Sequence, residues 1–212
     1  MENKIFLALL FVTFLSSLKS FRLDKLHCKV IALVLAIDCI VEAWAWFLTM
    51  AKQNNMPLYN FNSLQEFLLY AYYYYLIIDN TKVRKMIRVY LWVLPFAWII
   101  LVMLVFRPNK WSSHFFLVGC VPMVLLSAYY YYQLFTAEKL VRLSASFEFW
   151  VATALIIYYA CNLPYLGMLN FLNKNYLDLA NKLLIVTHIT NFIFYIILFY
   201  AFTWATPIEK SS

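Results

Sequence analysis

The sequence predicts an all-α, polytopic membrane protein, a single bundle of seven transmembrane helices over residues 1–212. Three observations lead there. The chain is 65% hydrophobic and only 13% charged, with a mean hydropathy of +0.73, whereas soluble domains carry roughly 25% charged residues. Apolar runs of about 18 to 24 residues recur along it, long enough as helices to cross ~30 Å of hydrocarbon. Lys and Arg gather in alternate connections, the mark of a polytopic topology. A membrane β-barrel would show short alternating segments instead, and none dominates.

The breaks between runs place the spans at 4–20, 30–51, 61–79, 86–106, 114–135, 147–171 and 182–205. The first, IFLALLFVTFLSSL, follows MENK and resembles a signal-peptide core. It lacks a small-x-small cleavage site, however, and Lys19, Arg22, Lys25 and Lys29 follow at once, so a retained helix is expected. Span two carries Asp38 and Glu42, four residues apart and therefore on one helical face. Span three contains SLQE at 63–66, a capping-box pattern in which Glu66 either closes the helix start or faces a site. Pro95, Pro122 and Pro164 interrupt spans four, five and six. Each frees one backbone carbonyl, producing a static kink or, alternatively, a hinge. Span six also holds Asn162, and in span seven His188, Asn191 and Tyr195 share a stripe.

The cations set the direction. Lys19, Arg22, Lys25 and Lys29 lie in the first connection, Lys82, Arg84, Lys85 and Arg88 in the third, Lys139 and Arg142 in the fifth, and Lys210 in the tail. Those are eleven of the 17 basic residues, and the positive-inside rule then puts the N-terminus outside and the C-terminus in the cytoplasm.

Much is excluded. The formal charge of +7 is expected to set topology and touch anionic lipid headgroups at the cytoplasmic face, not to bind nucleic acid. No connection is long enough to fold as a soluble catalytic domain. With only Gly119 and Gly167 in the chain there is no phosphate-binding loop. Cys28, Cys39, Cys120 and Cys161 lack CxxC spacing and read as small apolar core residues. No metal site, cofactor or catalytic residue is expected, since His188 is the one histidine within the spans and a Glu42/Glu66/His188 grouping is a weak ligand set.

Ionisable side chains at membrane depth are expensive, about 3 kcal/mol each unless paired or wet, so they point to function. At ~1.5 Å per residue, Glu42 and Asn162 lie ~20 Å from the cytoplasmic side, while Glu66, His188 and Asn191 lie within ~15 Å of the outer side. The expectation is a pocket opening outward, formed by Glu42, Glu66, His188 and Asn191, with Tyr59 and Asn162 at its edge and Asp38 deeper. Mutual hydrogen bonds that only hold the bundle together are the alternative.

The stretches NMPLYNFNSLQEFLLYAYY (55–73), FEFWVATALIIYYACNLPYL (147–166) and THITNFIFYIILFYAFTW (187–204) resemble a family of small seven-helix integral membrane proteins of Bacteroidota-type bacteria. The matching positions are Pro57, Leu58, Tyr59, Glu66, Phe67, Phe149, Trp150, Tyr158, His188 and Asn191. The resemblance implies seven helices in a bacterial cytoplasmic (inner) membrane and no established activity.

Three functions remain open: a ligand-binding module, acting as a sensory or partner subunit with a membrane protein or a second copy; a transporter or channel subunit with Asp38 and Glu42 on an ion or proton path; and an intramembrane enzyme acting on lipid. The paired runs AYYYY at 71–75 and 128–132 close spans three and five at the same depth. Four consecutive tyrosines point all round a helix, so they are expected to serve as a cytoplasmic aromatic belt, or as the trace of a two-helix duplication, and not as one site.

Overall fold

A computed structural model describes residues 2–22, 25–136 and 143–205. Lys139, Arg142 and Lys210, which enter the charge asymmetry, lie outside the described residues. Among those described, the structure is helical and without strands: α1 Glu2–Ser17, α2 Leu26–Met50, α3 Met56–Ile77, α4 Thr81–Trp98, α5 Ser113–Thr136, α6 Phe147–Leu166, α7 Leu169–Asn175 and α8 Leu177–Trp204. A 3₁₀ turn, Leu18–Arg22, extends α1, and a π-helical stretch, Ile99–Phe106, extends α4. Five helical stretches are both long and apolar enough to cross a membrane: Leu26–Met50, Thr81–Val105, Ser113–Thr136, Phe147–Asn175 and Leu177–Trp204. The apolar stretch Ile5–Phe21 is shorter. α3, with its asparagines, its serine and its tyrosines, is not among the five.

Six helices close a ring in the order α1, α2, α3, α5, α6, α8, with α8 packed back against α1. α4 docks outside the ring on α3. The core fills the ring's centre and is aromatic at its middle: Phe67, Phe115, Tyr73, Tyr74 and Tyr159 are all fully buried. The outer surface is inverted relative to a soluble protein. Met86, Trp92, Phe96 and Leu104 along α4 are each at least 64% exposed, and Ile40, Trp44, Phe47 and Leu125 are more than half exposed on α2 and α5. An apolar exterior this extensive needs lipid or a partner to cover it.

Three local features depart from the pattern expected of the sequence. α3 starts at Met56, not near Phe61, because Pro57 occupies its first turn and the Asn54 side chain accepts from Met56 N at 3.0 Å. The SLQE capping box is therefore absent: Ser63 lies within the helix and its hydroxyl donates to Asn60 O at 2.9 Å. Glu66, ten residues in, sits ~15 Å from the helix start and not at it. Second, α4 begins at Thr81 under an Asn80 cap, whose side chain accepts from Lys82 N and Val83 N. Third, span six ends at Leu166, and α7 follows as a separate short turn of helix. Pro95 is followed by the π-helical stretch, a common response to a missing backbone donor.

The tyrosine runs divide by direction. Tyr73, Tyr74 and Tyr130 are buried while Tyr132 is 63% exposed. Tyr74 and Ser127 share a 2.6 Å hydrogen bond between α3 and α5, and Tyr131 and Thr153 share another of 2.6 Å between α5 and α6. Tyr75 instead takes a hydrogen bond from Arg88 and lies under Arg84, whose guanidinium carbon is 4.6 Å from the ring centroid.

α3 and α5 approach closely at Gly119. A Cβ there would overlap the ring of Phe67, which is already in contact with Phe115, Phe116 and Tyr159. We predict that Gly119→Ala destabilises the bundle by about 1–3 kcal/mol through overpacking, read as a lower midpoint of thermal unfolding in detergent.

Candidate functional site

Helical spacing builds one cavity. α2 contributes Asp38, Glu42, Ala45 and Thr49, steps of three and four residues along one face. α3 contributes Tyr59, Asn62, Ser63 and Glu66 by the same rule, and α8 contributes Leu184, Thr187, His188, Asn191 and Tyr195. Phe6 of α1 and Tyr158 of α6 complete the wall, and Trp46, Trp111, Leu166 and Leu169 surround the mouth. The volume is about 470 Å³, within the size range of small-molecule pockets.

The expected residues are thus gathered, with one exception. Asp38, Glu42, Glu66, His188, Asn191 and Tyr59 all line this cavity. Asn162 stands apart. Fully buried between α6 and α8, its amide donates to Thr190 Oγ1 at 3.0 Å and to Tyr158 O at 2.9 Å. About four helix turns from the α8 C-terminus, that contact joins two helices that pack along their length and faces no opening.

The carboxylates are cross-linked. Asn62, one helical turn before Glu66, donates through Nδ2 to Glu66 Oε1 at 2.5 Å and to Asp38 Oδ1 at 3.4 Å. Tyr195 donates to Asp38 Oδ2 at 3.5 Å, and Tyr59 donates to Glu42 Oε2 at 3.3 Å. One network therefore spans α2, α3 and α8. Asp38, at 4% exposure, is its most buried carboxyl. All three charged residues on the wall are acidic; no Lys or Arg lines it.

The cavity has a solid floor. One and two turns beyond the carboxyls, α2 presents Leu35 and Ile31, α3 Tyr70 and Tyr74, α6 Leu155 and Val151, and α8 Leu198 and Ala201, every one of them buried. Two turns on four helices amount to a plug ~10 Å thick. The opposite end, where α2 ends and α3 begins, is the open one.

Two clusters have no counterpart in the sequence reading. Asn60, 1% exposed, donates to Pro108 O at 2.9 Å and Lys110 O at 2.7 Å and accepts from Ser112 N at 3.2 Å, tying the α4–α5 connection to α3 near the cavity mouth. At the other end of the bundle His27 Nε2 meets Glu148 Oε1 at 2.8 Å, and Ser146 donates to Glu148 Oε2 at 3.2 Å. His27 and Glu148 lie 121 positions apart at the starts of different helices, so no local pattern pairs them; a glutamate at the start of an apolar run was the available signal. Among the described residues no three His, Cys, Asp or Glu side chains are arranged to hold a metal ion. Comparisons with protein-family models, with curated proteins and with solved structures give no match.

Two substitutions separate these roles. Asn162→Ala is expected to lower stability by ~1 kcal/mol, the scale of an interhelical hydrogen bond in a membrane protein. His27→Leu is expected to lower it by about 1–3 kcal/mol, because the buried Glu148 loses the imidazole nitrogen that lies 2.8 Å from it. Both are measured by thermal unfolding, and neither should alter binding in the cavity.

Proposed function

We propose that the protein is a seven-span membrane module that binds a small or lipidic ligand in this cavity, acting as a sensory or partner subunit. In the same proposal its N-terminus is outside and its C-terminus cytoplasmic, and its place is the cytoplasmic membrane of a bacterium. The asymmetric Lys and Arg content supports that direction, and the resemblance noted in the sequence supports that membrane. Under this orientation the cavity opens outward.

The blind shape of the cavity is the observation that carries binding. It is open at one end, lined by convergent polar groups, and closed at the other by ~10 Å of packed side chains. A binding site needs this shape; a conduit needs a through-path.

One observation counts against the carboxylate-path alternative. The hydroxyls of Tyr73 and Tyr159, buried within the floor, have no hydrogen-bond partner. Hydroxyls on a proton path must pass hydrogen bonds along. Without partners they interrupt a path instead of forming one, and binding is the better-supported function.

In a thermal-shift screen of purified protein against lipids, small metabolites and divalent metals, at least one compound is expected to raise the unfolding midpoint. Glu42→Gln and His188→Ala should reduce that shift while the unliganded proteins stay folded. If no compound shifts the wild type, binding is refuted.

A further inference from the structure

The cavity has too many acceptors. Asp38, Glu42 and Glu66 supply carboxylate oxygens, and Asn62 adds another acceptor that is already committed in space. Asn62 is only 7% exposed, its Nδ2 is spent on Asp38 and Glu66, and its Oδ1 has no hydrogen-bond partner. A buried carbonyl oxygen without a donor is uncommon in a folded protein and marks a place where a donor is missing.

What could supply it is constrained by charge and by shape. No Lys or Arg faces the cavity, and His188 is the one side chain on its wall that can itself become cationic, so an external cation with N–H groups would supply both a donor and the charge that offsets three carboxylates. The walls beyond the carboxyls are aromatic: Phe6, Trp46, Tyr59, Trp111, Tyr158 and Phe192. Such faces attract cations and also bury apolar carbon. A bare inorganic ion would leave most of about 470 Å³ and its aromatic surface unused.

We infer that the ligand is an organic amine bound as its ammonium ion, with its N–H groups directed at Asn62 Oδ1 and the carboxylates of Asp38, Glu42 and Glu66 and its apolar body held among the aromatic rings. The inference rests on the binding function proposed above and names the chemical class of the ligand. A primary ammonium meets the requirement best, since it brings three donors and one positive charge. A quaternary ammonium brings the charge but no donor, so it separates the two requirements.

The test uses the full chain in lipid nanodiscs and four probes of similar size: phenethylamine, 2-phenylethanol, phenylacetate and tetraethylammonium, with sodium chloride as the inorganic control. Calorimetric titration should show phenethylamine binding at least roughly tenfold more tightly than 2-phenylethanol, the difference expected when charge-assisted hydrogen bonds replace neutral ones. Tetraethylammonium should bind more weakly than phenethylamine, phenylacetate should not bind, and sodium should not compete. Glu42→Gln, which keeps the side chain's shape, should weaken phenethylamine by roughly tenfold and leave 2-phenylethanol unchanged. Equal affinity for amine and alcohol, insensitivity to Glu42→Gln, or binding of the acid overturns the amine assignment while leaving the cavity a binding site. Failure of every probe overturns the amine assignment; combined with a silent ligand screen, it also removes the binding function.

Discussion

The Asn62 amide, held between Asp38 and Glu66, is the contact on which the cavity end of the bundle depends. It lies on α3, reaches Asp38 on α2, and through Asp38 and Tyr195 extends to α8. Together with the Tyr59 hydrogen bond to Glu42, these contacts hold three helices against one another. The stakes are high because the network is buried. In a low-dielectric interior each bond is strengthened, and each missing partner costs more than it would in water. Carboxyls drawn together in this way also repel unless a proton or a cation lies among them. The same arrangement that fixes the helices therefore creates a demand for positive charge.

Below the network the bundle changes character. The carboxyls stand above a packed layer in which Phe67, Tyr70 and Tyr159 make tilted or edge-to-face ring contacts. Gly119 lets α3 and α5 come close enough for Phe67 to fill the space between them. Gly119 is one of only two glycines in the chain, and buried alanines such as Ala32, Ala71, Ala152 and Ala154 supply the small side chains elsewhere. Because dense packing resists deformation, the floor is a rigid base under a polar, open-ended chamber. A ligand entering the chamber would act on α2, α3 and α8 through the same residues that hold them together. That is a direct route from occupancy to helix position.

The cavity was legible in the sequence because its elements are periodic. Asp38 and Glu42 four residues apart, and His188, Asn191 and Tyr195 in one stripe, declare a shared face before any coordinates are known. Asn162 belonged to no such stripe; its partner Thr190 is on another helix, and only the pairing of α6 with α8 reveals it as a clasp. Asn60 and Asn62 were passed over for a related reason. A start near Phe61 would have left them in a loop or at a helix end, whereas the start at Met56 places both inside α3. Pro57 was the local signal that should have outweighed the capping-box pattern, since proline favours a helix's first turn.

By itself the sequence determined the helical class, the apolar exterior and the candidate faces. These follow from composition and from a 3.6-residue period, quantities that belong to single segments. It also determined that four consecutive tyrosines could not line one site, which is a property of the helix alone. Tertiary structure alone decided that six helices close into a ring with α4 outside, that the cavity ends blindly on Leu35, Tyr70 and Leu155, and that His27 meets Glu148. The physical reason is that burial, partnership and enclosure are relations between segments far apart in the chain. No spacing rule within a segment encodes which face of another helix will complete it.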